Sequence, residues 1–144
     1  MTHTPVLLRE VLHALAPAAG ETFVDLTAGR GGHARALARE VGPTGQAVLL
    51  DVDAGNLAFA AEHVAAEGTP VTAIRASFAD AGRHLMQRGL RAHAVLADLG
   101  FSSTQMDDPA RGFSFLRDGP LDMRLDTSGG ETAADVVARL SERE

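Results

Sequence analysis

The sequence predicts an α/β fold with a doubly wound, mainly parallel, Rossmann-like sheet. Four short apolar runs alternate with segments of helical period, at the spacing of βαβ units. The second and fourth runs, "QAVLLD" and "AHAVLADL", show almost no polar alternation, as strands covered on both faces do. Each run ends on polar or glycine-rich residues, where an open α/β sheet presents its crevice. Right-handed crossovers then favour a doubly wound arrangement.

The elements follow in order. Val6 to Leu15 reads as an amphipathic helix, with Val6, Leu7, Val11, Leu12 and Leu15 on one face and Pro17 and Gly20 ending it. Thr22 to Thr27, "TFVDLT", is the first strand, and "AGRGG" is the turn after it. His33 to Val41 is a helix stopped by Gly42 and Pro43. Gln46 to Asp51 is the second strand, and "NLAFAAEHVAAEG" a helix closed by Gly68. "PVTAIRA" is the third strand, Ala81 to Arg88 a helix closed by Gly89, and Ala92 to Leu99 the fourth strand. Gly100 to Gly130 follows neither period, yet it holds three of the six phenylalanines, which favours a functional loop over a disordered one. "TAADVVARLSERE" is a helix with Thr132 as N-cap and Asp135 completing a capping box. A sheet of these four strands leaves the apolar fourth at or near an edge, so the sequence is expected to be part of a longer protein, its sheet truncated after that strand.

Composition narrows the class. The chain has 144 residues, no cysteine and a net charge of −6. Thiolate metal sites and disulfide frameworks are therefore excluded, and the acidic balance argues against an autonomous, charge-driven nucleic-acid binder. No apolar stretch is long enough to span a bilayer, and the start does not read as a signal peptide. The expectation is a cytoplasmic protein with no membrane partner. None of the six histidines is spaced with acids as metal ligands are, so no metal is expected.

Four features converge on the carboxyl ends of the strands. "DLTAGRGGH" opens a helix, Asp51 ends the second strand about twenty residues after the glycines, Ser77 and Phe78 follow the third, and Asp98 ends the fourth. Each has a plain structural reading as well. The glycines make a tight turn, Asp51 caps a strand end, Asp53 starts a helix, and His33 is a first-turn residue or a backbone ligand contact. The turn lacks the Gly-Lys-Ser/Thr of a phosphate loop and the third glycine of a dinucleotide fingerprint. An acid before the glycines and another after the second strand suit S-adenosylmethionine, whose sulfonium and amino group favour nearby carboxylates. An NAD-dependent oxidoreductase is a weaker alternative.

The segments "HTPVLL", "AGRGGH" and "DLGFSSTQMDDPARGFSFLRDGPLDMRLD", with their spacing, closely resemble the bacterial family of small-subunit ribosomal RNA cytosine-N4 methyltransferases, from about His3 to the end of the chain. The resemblance implies a class I methyltransferase sheet at residues 1–130, the start of a helical substrate domain at 131–144, and methylation of the exocyclic amine of a decoding-centre (P-site) cytidine in 16S rRNA of the small ribosomal subunit. It places cofactor contacts at Gly31, Gly32, His33, Asp51, Phe78, Asp98 and Gln105, with Phe78 against the adenine and Asp51 on the ribose. Thr104 and Phe101 depart from the residues common in the family. Family members are roughly twice as long, so these residues alone are expected to bind cofactor weakly and to be inactive or weakly active. A homodimer is the oligomer to test in the full-length protein.

Aligning a poor amine nucleophile with a sulfonium methyl needs fixed acceptors rather than a strong base. Asp98 is the fixed acceptor delivered to the cofactor's sulfonium end, Gly100 lets the loop backbone approach so that the Leu99 and Gly100 carbonyls are candidate acceptors, and Ser102 and Ser103 cap the turn or touch the base. Arg111, Arg117 and Arg124 are the candidate phosphate contacts, set against internal pairing with the loop aspartates. Phe113 and Phe115 either stack on bases or pack the loop. A non-catalytic S-adenosylmethionine-binding module and an amine methyltransferase with another substrate are the alternatives.

Overall fold

The computed structural model describes residues 5–141. The chain divides into two compact units, Met1–Leu99 and Gly100–Glu144. The first unit is a four-stranded parallel sheet formed by β1 (Thr22–Asp25), β2 (Gln46–Asp51), β3 (Val71–Arg75) and β4 (Ala94–Leu96). The strand order is β3-β2-β1-β4, which puts the reversal of winding between β1 and β4. In register, Val24 lies opposite Val48 and Val95, and Asp51 opposite Arg75.

Helices cover both faces, as right-handed crossovers on either side of a switch point require. Alternate strand residues Phe23, Ala47 and Leu49 pack with Ala34, Leu37, Ala38 and Val41 of α2 (Gly32–Val41), and with Leu57, Ala60 and Val64 of α3 (Ala54–Ala65). Leu12 and Leu15 of α1 (Leu8–Leu15) join that layer. The opposite residues, Val24, Val48, Leu50 and Ile74, meet Ala81 and Leu85 of α4 (Ala81–Gln87). Of the two runs with little polar alternation, β2 is covered on both faces, whereas β4 is not, because it has a neighbouring strand on one side only. β4 lies at the sheet edge with Val95 half exposed, as its place in the sequence predicts.

Several local boundaries differ from the sequence reading; the last helix ends at Arg139, and residues 142–144 of that reading lie outside the described residues. The first helix begins at Leu8, not Val6. Leu7 adopts a left-handed conformation at φ 52°, and both Val6 and Leu7 are exposed rather than on a packed face. The Val6 carbonyl instead accepts a hydrogen bond from His33 Nε2 (2.8 Å), which takes it out of a helical ladder. β1 stops at Asp25, where the Thr27 N–H turns back to Asp25 Oδ1. β4 stops opposite it at Leu96, so Asp98 lies two residues past the strand instead of ending it.

The second unit contains α5 (Ser103–Asp107), a 3-10 turn at Pro109–Arg111 and α6 (Ala133–Arg139). The segment from Gly100 to Gly130 is therefore not wholly irregular. A reciprocal capping box between Ser102 and Gln105 supports α5, and a second between Thr132 and Asp135 starts α6. Between them the chain folds back tightly. A Cβ on Gly112 would meet the Pro120 carbonyl, and one on Gly119 the Pro109 carbonyl.

Candidate functional site

The glycine turn between β1 and α2 is held from the two neighbouring strands, β4 and β2. Leu26 N–H donates to the Leu96 carbonyl and Ala28 N–H to the Leu50 carbonyl, both at 2.9 Å. Gly29 N–H donates to Asp51 Oδ2 (2.7 Å), while Asp51 Oδ1 accepts from Asp53 N–H (2.9 Å). One carboxylate thus fixes both the turn and the approach to α3, whose N-cap Asp53 accepts from Gly55 and Asn56 N–H. Gly29 and Gly31 have φ of 49° and 78°, and a Cβ on Gly31 would lie 3.1 Å from Ala60 Cα. Glycine is required there both by conformation and by the close approach of α3.

Across the switch point, Asp98 N–H donates to Thr27 Oγ1 (2.7 Å), tying the chain after β4 to the turn. The Asp98 carboxylate is 57% exposed and lies 3.7 Å from His33 Nδ1. His33 is buried, and because a carbonyl only accepts, its Nε2 carries the proton shared with Val6. Below them Asp25 is 2% exposed. Burial pushes its carboxyl up to about 6; the Thr27 N–H and His33 oppose that rise, and the neighbouring Asp51 and Asp98 add to it. Three carboxylates therefore share one end of the sheet, an arrangement complementary to a cationic group on a ligand.

Gly31, Gly32, His33, Asp51 and Asp98 accordingly come together around one turn. Phe78 follows β3, with Ser77 capping its 3-10 turn by accepting from Ala79 N–H, and its ring is half exposed. Asp51 performs the strand-end capping read from the sequence, each oxygen engaged once. Asp25 and Thr27 were not singled out as site residues; the only signal was the acid of "VDLTAG", whose burial depends on the fold.

In the second unit, Gly100 has φ 148°. Ser102 N–H donates to Gln105 Oε1 (2.8 Å) and Ser102 Oγ accepts from Gln105 N–H (3.3 Å), so both side chains act in the α5 cap. The side chain of Ser103 lies outside the described residues. Arg124 forms a two-pronged pair with Asp122, whose carboxyl it holds down at about 2. Arg111 Nη2 donates to the Arg124 and Leu125 carbonyls, and Arg117 Nη1 to the Asp107 carbonyl. Phe113 stacks on Phe101 with ring centroids 5.1 Å apart, whereas Phe115 is 97% exposed. Among the described residues no group of acids and histidines could hold a metal ion, and no helix is long and apolar enough to cross a membrane.

Comparison with known proteins adds the family. The sequence profile of the MraW methylase family matches residues 1–144. The ribosomal RNA small subunit methyltransferase H of Halorhodospira halophila is 47% identical over 145 residues, covering 99% of this chain and 44% of that protein. The protein of the same name from Syntrophotalea carbinolica is 48% identical over 143 residues, covering 99% of this chain and 46% of its own length. A crystal structure of a SAM-dependent methyltransferase from Aquifex aeolicus aligns at 25% identity with a TM-score of 0.42, over 49% of this chain and 38% of that one. The chain thus spans less than half the length of the curated relatives it matches. With the profile running the full 144 residues through both the glycine turn and the aromatic loop, the chain belongs to the MraW methylase family.

Proposed function

We propose that this chain carries the cofactor-binding part of an enzyme that methylates the exocyclic N4 amine of a cytidine in 16S rRNA, at the decoding centre of the small ribosomal subunit, using S-adenosylmethionine. The observation that carries the reading is the family match along the whole chain. The names of the curated relatives supply the substrate class.

The donor set fits the cofactor. Bound there, S-adenosylmethionine would supply an activated methyl group on a sulfonium. Asp51, beside the glycine turn, would hold the ribose with the acceptor capacity left after Gly29 and Asp53. Phe78 offers a half-exposed ring for the adenine. Gly31, Gly32 and His33 start α2 and bring backbone close to the ligand. Asp25 and Asp98 offset the ligand's positive charge, which also relieves their mutual repulsion. Gln105 is assigned to the cofactor through the family likeness, in addition to its cap.

A cytosine amine has its lone pair delocalised into the ring, so the chain's task is alignment. With Asp98 at the cofactor's sulfonium end, the carbonyls of Leu99 and Gly100 accept the amine's two hydrogens and turn its lone pair toward the methyl group. Ser102 and Ser103 border that loop, and Arg111, Phe113, Arg117 and Arg124 belong to the rRNA-facing segment. A cytoplasmic setting follows from a ribosomal substrate, and a homodimer of the longer protein is part of the same reading. The 144 residues alone are expected to turn over poorly.

The test is transfer of labelled methyl from S-adenosylmethionine to small ribosomal subunits lacking the modification, followed by nucleoside analysis. Label in N4-methylcytidine of 16S rRNA, from the longer protein containing this chain, is expected. Label confined to another nucleoside, to DNA or to small amines would overturn the reading. Normal single-turnover activity of the 144 residues would overturn the last part of it.

A further inference from the structure

The loop of the second unit carries three arginines and three phenylalanines, and its geometry sorts them. Arg124 is neutralised by Asp122, with Nη2 2.6 Å from Oδ2. Arg111 is drawn inward onto the Arg124 and Leu125 carbonyls. Phe113 is committed to Phe101. Two side chains remain presented. Phe115 is 97% exposed. Arg117 is exposed as well; it donates to the carbonyl of Asp107, and among the described residues it forms no ion pair.

The segment bearing them is braced. Met123 N–H donates to the Arg111 carbonyl (3.0 Å), Leu116 N–H to Ser114 Oγ (3.1 Å), and the backbone at Gly112 and Gly119 closes on Pro120 and Pro109. Bracing matters because a ring fixed in water gains nothing from packing, whereas it loses little conformational entropy when a flat partner settles on it.

We infer that Phe115 and Arg117 form a contact for single-stranded RNA, Phe115 stacking on an unpaired base and Arg117 meeting the adjacent phosphate. The inference rests on the rRNA reading above and deepens it by naming the contact pair. An aromatic face with a guanidinium two residues away is the combination that splayed RNA bases use, since every base has a π-face and every step a phosphate. It also reconciles the chain's charge of −6 with an RNA substrate, through a local contact rather than a basic surface.

The experiment measures binding of the full chain to a short unstructured oligocytidylate RNA, to an abasic counterpart and to duplex RNA, across a salt series, with thermal unfolding as a fold control. Phe115→Ala is expected to weaken binding to the oligocytidylate by about tenfold, within the range for a lost base stack. Phe115→Trp should retain binding, and the abasic strand should not distinguish Phe115→Ala from the parent. Arg117→Ala is expected to lower the salt slope by about 0.7, the value for one phosphate on a single strand. Parent-like binding by Phe115→Ala would overturn the stacking, as would a parent chain with no affinity for the oligomer. A Phe115→Ala change that abolishes self-association without altering RNA affinity would assign the ring to a protein contact and overturn it too. Failure of the rRNA reading itself would show separately, as absence of N4-methylcytidine in the transfer assay.

Discussion

Replacing Asp25 by Asn is expected to stabilise the protein while impairing the site. Asp25 ends β1 almost wholly buried, and desolvation is the largest of the influences that carry its carboxyl from 3.8 to about 6. Between those values the native state holds more protons than the unfolded chain, so this group's contribution to stability falls as pH rises through the window and levels off above it. At about 1.4 kcal/mol per tenfold change in proton affinity, the ionised group costs the folded protein about 3 kcal/mol above pH 7. Asn keeps an acceptor for the Thr27 N–H and carries no charge. A gain of about 2 kcal/mol at pH 8 is expected, or roughly 10 °C in Tm for a unit of this size. Near pH 4, where the native carboxyl is already neutral, the gain should shrink toward zero. Urea unfolding of both proteins at about pH 4.5, 6 and 8, below, at and above the native value, checks this. A difference between them that does not change with pH, or a less stable variant at pH 8, would refute the reasoning.

Asp51→Ala removes the acceptor for both Gly29 and Asp53 N–H, and thermal unfolding should register a loss of about 2–3 kcal/mol, with Asp51→Asn losing roughly half of that. Glu67, gripped by Arg39 and Arg35 between α2 and the end of α3, has its carboxyl held down at about 2. Its stabilisation is present above about pH 4.5 and lost as pH falls toward 2, so Glu67→Gln should flatten the acid limb of the stability profile and reduce its dependence on salt. Gly112→Ala would force a Cβ onto the Pro120 carbonyl from a φ of 70°, and limited proteolysis should then cut between residues 108 and 125 faster than in the parent.

Sheet and helices were legible because they follow from patterns local to a dozen residues. The unbroken apolar run of Gln46–Asp51 meant burial on both faces, and the Thr132–Asp135 pair before an apolar run marked the start of α6. Ser102 was read as a turn cap or a base contact, but its box with Gln105 and the helix behind it went unread because no periodic apolar run follows in "STQMDD". The first helix was read two residues too early, since the Val6 carbonyl is taken by His33, 27 positions away. Long-range events of that kind also decide the site. That Asp25 is buried beside two other acids, and that Phe113 stacks while Phe115 is bare, depend on which segments meet, whereas Arg124 is spent on Asp122 only two residues away, a local pairing. Composition lists the groups, but only the fold assigns them partners.

In the proposed function, the carboxylates around the glycine turn line one crevice for S-adenosylmethionine. The most direct measurement is titration of the isotope-labelled chain with that compound, followed by amide NMR shifts. The account predicts that the largest changes fall on Gly29, Gly31, His33, Asp51, Phe78 and Asp98. Shifts gathered on the opposite end of the sheet, or none at saturating ligand, would contradict it.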